Sequence, residues 1–104
     1  MVTAKTIDTY DKIDERQLDF VYELFRAIAH PLRIEIMNYI GKKGETNVQS
    51  IYHSLDIPQS VTSQQLKILK DVGLVKFKRH SKERIYSVNH EMLDSVQQCI
   101  KTYF

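Results

Sequence analysis

The sequence lacks several features that mark other classes of protein. Its single cysteine excludes an intrachain disulfide and is typical of a reducing, cytosolic location. No apolar run is long enough to span a bilayer, and the N-terminal stretch MVTAKTIDTYDKIDERQ has no signal-peptide core. Gly-rich phosphate loops and nucleophile–base pairs are also missing, so the sequence predicts neither an enzyme nor a bound cofactor. We expect one cytoplasmic domain over residues 1–104, with no membrane partner.

Acidic residues are scarce in one third of the chain. Residues 58–88 hold seven Lys or Arg side chains against two acidic ones, whereas residues 1–57 hold seven against nine. The formal net charge of +2 therefore hides a concentration of positive charge on the segment 58–88. Such a concentration is typical of a surface that binds an anion.

Apolar residues at helical spacing predict two helices in the first part of the chain. We expect the first helix from about Asp14 to Ala29, because the residue before the proline of the HP dipeptide resists helical angles. Pro31 suits the first position of the second helix. The glycine-containing stretch GKKG at 41–44 should stop that helix.

Two further helices are predicted on either side of the LDIP break. Asn47 can cap a short third helix, and Pro58 can open a fourth helix that runs to Gly73. Two short helices joined by a few residues, the second with a polar outer side, form a helix-turn-helix pattern. A last helix should start at about His90.

Alternating residues in LVKFKRHSKERIYSVN predict a β-hairpin between the fourth and last helices. Its tip lies near His80–Glu83, and the lack of a glycine-containing two-residue turn predicts a loop of about four residues. The expected fold class is therefore mainly α with a β-hairpin: a winged helix-turn-helix of five helices and a two-stranded wing.

The polar side of the fourth helix is rich in hydroxyls and amides and almost free of Glu. A side that merely solvates the helix, the alternative interpretation, would normally mix Glu with Lys. Ser, Gln and Lys instead suit base edges and phosphates, so we expect Gln64 to read adenine and Lys67 to contact phosphate in double-stranded DNA. Gln65 is less suited because it points partly toward the apolar side. The candidate contacts of this recognition helix are Gln59, Ser60, Ser63, Gln64 and Lys67.

The hairpin carries a second group of candidate DNA contacts. As a wing, it would place its cations against phosphates or in the adjacent minor groove. The alternative is that the same lysines only protect an edge strand from pairing with another chain. The candidate wing contacts are Lys78, Arg79, Lys82 and Arg84.

The segments LFRAIAHPLRIEIMNYI, NVQSIYHSLDIPQSVTSQQLKILKDVGLV and KFKRHSKERIYSVN together resemble the ArsR-type (ArsR/SmtB-like) winged-helix transcriptional regulators. The pattern Q-S-x-x-S-x-x-L-K-x-L-x-x-x-G-L-V is the most specific part of this resemblance. It implies a bacterial homodimeric repressor that binds a DNA operator, with the first and last helices, about 14–29 and 90–103, forming the dimer interface. Apolar stripes on both terminal helices are an independent reason to expect a partner. The expected interface residues are Leu18, Val21, Phe25, Leu93, Val96, Ile100 and Tyr103.

The sequence departs from the family pattern in two places. Where the family commonly has a small residue followed by Val or Ile, this chain has Val61 and Thr62, which puts a hydroxyl near the core edge. Asn47 and Gln49 replace the Cys-x-Cys pair of the founding metalloid sensors and supply no thiolates. No metal site is therefore expected, and the weak candidates for one are His90, Asp94 and Cys99.

Two other functions stay open at this point. One is a winged-helix module for protein interaction, in which the basic surface is incidental, and steep salt dependence of DNA binding would exclude it. The other is a metal-responsive sensor with a non-classical site, which elemental analysis would detect. The resemblance identifies no effector.

Overall fold

The computed structural model describes residues 15–103 and confirms a mainly helical winged helix-turn-helix with five helices. No helix among these residues is long and apolar enough to cross a bilayer. The sheet is antiparallel, with strand order β1–β3–β2. The elements in chain order are α1 (Glu15–Ile28), α2 (Pro31–Lys43), β1 (Thr46–Asn47), α3 (Val48–Leu55), α4 (Gln59–Asp71), β2 (Val75–His80), β3 (Glu83–Val88) and α5 (His90–Tyr103).

The second helix ends within the GKKG stretch, as the sequence predicts, with Gly44 as its cap. It continues through Gly41 to Lys43, and Gly44 follows with φ 80° and donates its amide to the Ile40 carbonyl at 2.8 Å. A glycine inside a helix costs only about 1 kcal/mol relative to alanine. The fully buried Ile36 and Ile40 hold this helix in the core, so tertiary packing outweighs that local cost.

The two helices of the helix-turn-helix begin and end within two residues of the predicted positions, and Asn47 caps α3 as predicted. The Asn47 side chain accepts a hydrogen bond of 2.8 Å from the Ser50 amide and caps α3. After α4, Gly73 has φ 82° and its amide donates to the Lys70 carbonyl, while the Leu74 amide donates to Leu69. This pair of bonds is the Schellman pattern, which turns the chain from the recognition helix into the wing.

The wing differs from the expectation in two ways. A third strand, β1, pairs with β3, with Thr46 opposite Tyr86, so the sheet has three strands rather than two. The expected loop of about four residues is wrong, because His80 still pairs with Glu83 and only Ser81 and Lys82 form the turn. Ser81 has φ 59° while Lys82 does not enter the positive-φ region, the sign pattern of a type II′ turn in which serine replaces the usual glycine.

Every element except the two-residue strand β1 contributes an apolar residue to a single core. Leu24 of α1 and Val96 of α5 are buried within the described chain, so the terminal helices pack on the helix-turn-helix as well as offering faces outward. This packing leaves one side of α4 and the outer face of the wing in solvent. The fully buried apolar side chains are Ile36, Ile40, Ile51, Leu66, Leu69 and Leu74.

Candidate nucleic-acid interface

The recognition helix α4 presents a mainly polar side to solvent. Leu66 and Leu69 are fully buried beneath it, which fixes the rotation of the helix about its own axis. The opposite side carries hydroxyl, amide and ammonium groups with no apolar neighbour covering them. All five side chains proposed from the sequence are exposed there: Gln59, Ser60, Ser63, Gln64 and Lys67.

Two residues mark the limits of the buried side of α4. Thr62, expected near the core edge, is fully buried one turn before Leu66, whereas the apolar side chain of Ile68 is 36% exposed. The Thr62 hydroxyl donates to the Pro58 carbonyl at 3.1 Å, so its burial leaves no unsatisfied polar group. The core therefore accommodates a hydroxyl at this position because that hydroxyl forms a hydrogen bond with the backbone of its own helix.

Gln65 lies at the boundary between the polar and buried sides of α4. It is half-buried, and its Oε1 accepts a hydrogen bond of 2.8 Å from Nε of Arg33 on α2. The sequence-based doubt about Gln65 as a base reader therefore has a structural basis. Arg33 itself was not among the residues singled out from the sequence, although it shares the helical spacing of the buried Ile36, Met37 and Ile40.

The wing cations meet the start of α4 across one groove. This groove lies between the first turn of α3 and the wing and has a volume of about 380 Å³. Gln59 lines it from the recognition helix, and Arg79, Lys82 and Arg84 line it from the hairpin. The groove therefore brings Gln59 at the start of α4 together with three of the four candidate wing cations, whereas Lys78 and the other α4 candidates do not line it. Cations beside an amide are an arrangement that suits a nucleic-acid backbone.

The ring of Phe77 on β2 contacts one cation from the wing, Arg84, and one from the recognition helix, Lys70. The Arg84 guanidinium carbon lies 4.6 Å and Lys70 Nζ lies 5.3 Å from the centroid of the Phe77 ring. The half-buried Phe77 also packs beside Tyr86, with ring centroids 5.4 Å apart. These cation–π contacts orient Arg84 and tie the wing to the C-terminal part of α4.

Two candidate phosphate ligands are paired with carboxylates in the free protein. Lys67 Nζ lies 2.9 Å from Asp71 Oδ2, and Lys78 Nζ lies 3.1 Å from Glu45 Oε1. The hydrogen bond from Lys67, helped by the nearby positive charge, holds the pKa of Asp71 below its ordinary value of 3.8. Both pairs are largely exposed, so solvent screens them and a phosphate can compete for the ammonium groups.

The expected dimer residues fall into three groups by exposure. Leu18 and Ile100 are 39% and 41% exposed, and Val96 is 3% exposed within the core of its own chain. The side chain of Tyr103 lies outside the part of the chain whose side chains the structure describes. Phe25 and Leu93 are half-buried and pack against the core. Val21 is also half-buried.

Metal-binding side chains are not assembled within the described residues. Among residues 15–103, no three His, Cys, Asp or Glu side chains form a group that could hold an ion, so His90, Asp94 and Cys99 do not meet in one chain. Asn47 and Gln49, at the positions of the family's thiolate pair, line the same groove as the wing cations. In Asn47 the side-chain oxygen caps α3 and the nitrogen lies 3.3 Å from Glu83 Oε1.

Comparison of the sequence with known proteins gives consistent matches. The family described as "Bacterial regulatory protein, arsR family" matches residues 30–76. The transcriptional repressor PagR of Bacillus anthracis is 32% identical over 88% of this chain and 91% of its own length. The HTH-type transcriptional repressor SmtB of Mycobacterium tuberculosis is 37% identical over 76% of this chain, which spans 62% of that longer protein.

Solved structures agree with these sequence matches. The crystal structure of PagR has a TM-score of 0.68 at 30% identity and covers 84% of this chain and 99% of PagR. The solution structure of a homodimeric winged helix-turn-helix DNA-binding domain from Mycobacterium bovis has a TM-score of 0.71 at 23% identity, covering 88% and 86% of the two chains. The helix-turn-helix, its cap, the wing and these matches together place the chain in the ArsR family of winged helix-turn-helix regulatory proteins.

Proposed function

We propose that this protein is a homodimeric transcriptional repressor that binds a specific double-stranded DNA operator in the cytoplasm. The names of two relatives, PagR and SmtB, describe transcriptional repressors, which supports repression as the outcome of binding. The homodimeric DNA-binding domain from Mycobacterium bovis supports the same assembly through its fold. In this proposal the terminal helices α1 and α5 pair with those of a second copy.

The observation that carries the proposal is the shared orientation of α4 and the wing. Polar side chains able to hydrogen-bond base edges occupy the exposed side of α4, and the wing cations line a groove with Gln59 at its start. A protein-interaction surface would not need this separation between amides and hydroxyls on one element and cations on the next. Duplex DNA needs both, because base edges specify the sequence while phosphates provide most of the affinity.

Each element would have a distinct role in the complex. The helix α4 enters the major groove, where the Gln64 amide can pair with adenine and the hydroxyls of Ser60 and Ser63 reach bases or phosphates. The wing lies along the backbone or the adjacent minor groove. A dimer presents two such helices about one helical turn of DNA apart, which predicts an operator with inverted half-sites.

The salt dependence of binding tests this proposal. If each subunit neutralises about three to five phosphates, the slope of log K against log[salt] for the dimer should be roughly −5 to −9. Lys82→Ala, at the exposed wing tip, removes one contact from each subunit, so it should reduce the magnitude of that slope by about two and weaken all duplexes alike. Lys78→Ala should have a smaller effect, because Glu45 already occupies its ammonium group.

The matched control is Lys42→Ala, which removes an exposed lysine from α2, outside both the groove that the wing cations line and the proposed dimer helices. It should leave both the affinity and the slope unchanged. A complex that forms equally well at low and high salt would contradict the proposal and favour a protein-interaction module instead.

A further inference from the structure

The geometry points to Arg33 as a positioning residue for DNA recognition, which fixes the recognition helix α4 against the end of α1. Gln65 is then its partner rather than a residue that reads bases. This inference rests on the proposed function, because it concerns a residue that controls the DNA-reading surface without belonging to it.

Arg33 joins three helices through one guanidinium group. Its Nε donates to Gln65 Oε1 on α4 at 2.8 Å. Its Nη1 donates to the main-chain carbonyls of Arg26 and Ala27 in the last turn of α1, at 3.2 and 3.1 Å. Since Arg33 itself lies in the first turn of α2, the three helices are cross-linked at a single point.

These bonds complete the C-terminus of α1. The last four carbonyls of a helix have no partner within it, and the Phe25 and Ile28 carbonyls accept instead from the amides of Ala29 and His30. Arg33 provides for the remaining two, those of Arg26 and Ala27, and places its positive charge at the negative end of the helix dipole. The bonds to α1 therefore fix the orientation of the guanidinium group, so that its Nε points toward Gln65.

The acceptor on α4 stands next to the residue proposed to read the operator. Gln65 is half-buried and precedes Leu66 of the core, while its neighbour Gln64 is exposed. A small rotation of α4 about its axis would break the bond to Arg33 and shift Gln64 relative to the base edges in the major groove of the DNA. The bond therefore acts together with the buried Leu66 and Leu69 to hold one rotation of α4 relative to α1, and in a dimer joined through α1 it also helps to hold the separation of the two recognition helices.

The side-chain chemistry excludes simple substitutes for Arg33. Its fork offers several N–H donors in fixed directions, so it serves the α1 carbonyls and Gln65 at the same time. A lysine keeps the charge near α1 but concentrates its donors on one atom and cannot span both partners. Glutamate at position 65, in contrast, keeps an acceptor and strengthens the bond by adding charge.

The test measures how strictly each variant requires the correct half-site spacing. The probe is a duplex that the wild-type protein enriches from a randomised pool, compared with the same duplex after insertion of base pairs between its half-sites. In Gln65→Ala and in Arg33→Lys, the preference for the native spacing should fall by about threefold to tenfold, the scale of one hydrogen bond. The double variant should fall no further than either single one, and Gln65→Glu should retain the wild-type preference.

Both duplexes carry nearly the same phosphate charge, so the ratio cancels any general effect of Gln65→Glu on electrostatic binding. Asn38→Ala removes an exposed amide from α2, outside the proposed dimer helices and the DNA surface, and is the matched control that should leave the ratio unchanged. Thermal unfolding of each variant confirms that the comparison is made between folded proteins, and Gln65→Ala, at a half-buried position, keeps a strong helix former.

The outcomes separate this inference from the proposed function. A pool from which no sequence is enriched would overturn the proposed function itself. Enrichment by the wild type together with an unchanged spacing ratio in folded Gln65→Ala would overturn the role of Arg33 alone. Additive losses in the double variant, or failure of Gln65→Glu to retain the preference, would also overturn it, because the two side chains would then act separately.

Discussion

The buried side chain of Thr62 donates its hydroxyl proton to the Pro58 carbonyl, 3.1 Å away and one turn earlier in the chain. The same carbonyl also accepts from the Thr62 amide at 3.1 Å. It therefore keeps a partner when the hydroxyl is removed. The hydroxyl is satisfied but not required, which makes the methyl group the part of Thr62 on which the core depends.

Thr62→Val should accordingly change the free energy of unfolding by less than about 1 kcal/mol, because it replaces a satisfied hydroxyl by a methyl of similar shape. Thr62→Ser keeps the hydroxyl and removes the methyl, and it should destabilise the protein by about 1 kcal/mol. Denaturant unfolding of the two variants measures both values. A larger loss in Thr62→Val than in Thr62→Ser would show that the hydrogen bond dominates at this site.

Gln64→Ala should lose roughly 1–3 kcal/mol of binding free energy at each half-site of the preferred operator, the value of one bidentate contact to a base. Folding stability should barely change, because Gln64 is exposed. Non-specific affinity should barely change either, because it comes from cations on phosphates and Gln64 carries no charge. Competition binding with the enriched and a scrambled duplex at the same salt concentration measures the difference. An equal loss on both duplexes would mean that Gln64 only positions the backbone.

Asp71→Asn should strengthen binding to every duplex by about twofold to threefold, because it releases the Lys67 ammonium and removes a negative charge near the phosphates. The same pair predicts a pH effect. The pKa of Asp71 lies below 3.8, so the attraction to Lys67 is present at neutral pH and is lost as the pH falls through that lowered pKa.

Carboxyl titration by NMR checks the second part of this prediction. The pKa of Asp71 should rise toward its ordinary value in Lys67→Ala, since the lysine is the main cause of the lowering. Lys70→Ala is the comparison and should raise the pKa of Asp71 less, because Lys70 is a smaller cause of the lowering than Lys67. Weaker DNA binding by Asp71→Asn would show that the carboxylate holds Lys67 in its binding position rather than competing for it.

Leu18→Glu and Ile100→Glu should convert the dimer to folded monomers, because both residues are substantially exposed in the single chain and lie on the terminal helices. Val96→Glu should instead unfold the protein, since it would bury an unpaired charge in the protomer core at a cost of several kcal/mol. Sedimentation measures the first effect and circular dichroism the second. A wild-type protein that sediments as a monomer at micromolar concentration would contradict the dimer.

Periodicity and local chemistry predict much of the fold. The apolar spacing locates five helices, Asn47 predicts the cap of α3, and alternation predicts β2 and β3. Strand β1 is not predictable in this way, because two residues are too few to alternate and only their pairing with β3 makes them a strand. The turn at Ser81 is missed for a related reason: the pairing of the flanking strands imposes a positive φ on a residue that rarely adopts it alone.

Five exposed positions of the candidate recognition helix follow from the sequence alone, since the polar side of an amphipathic helix must face away from the core. The sequence by itself thus determined the family, the helix-turn-helix and the sign of the charge on its outer surface. Tertiary structure alone decided that the apolar side chain of Ile68 is 36% exposed, because the neighbours that cover α4 determine how far its buried side extends. It also decided that Arg33 reaches Gln65, 32 residues away, because a hydrogen bond between distant segments leaves no local pattern in either of them.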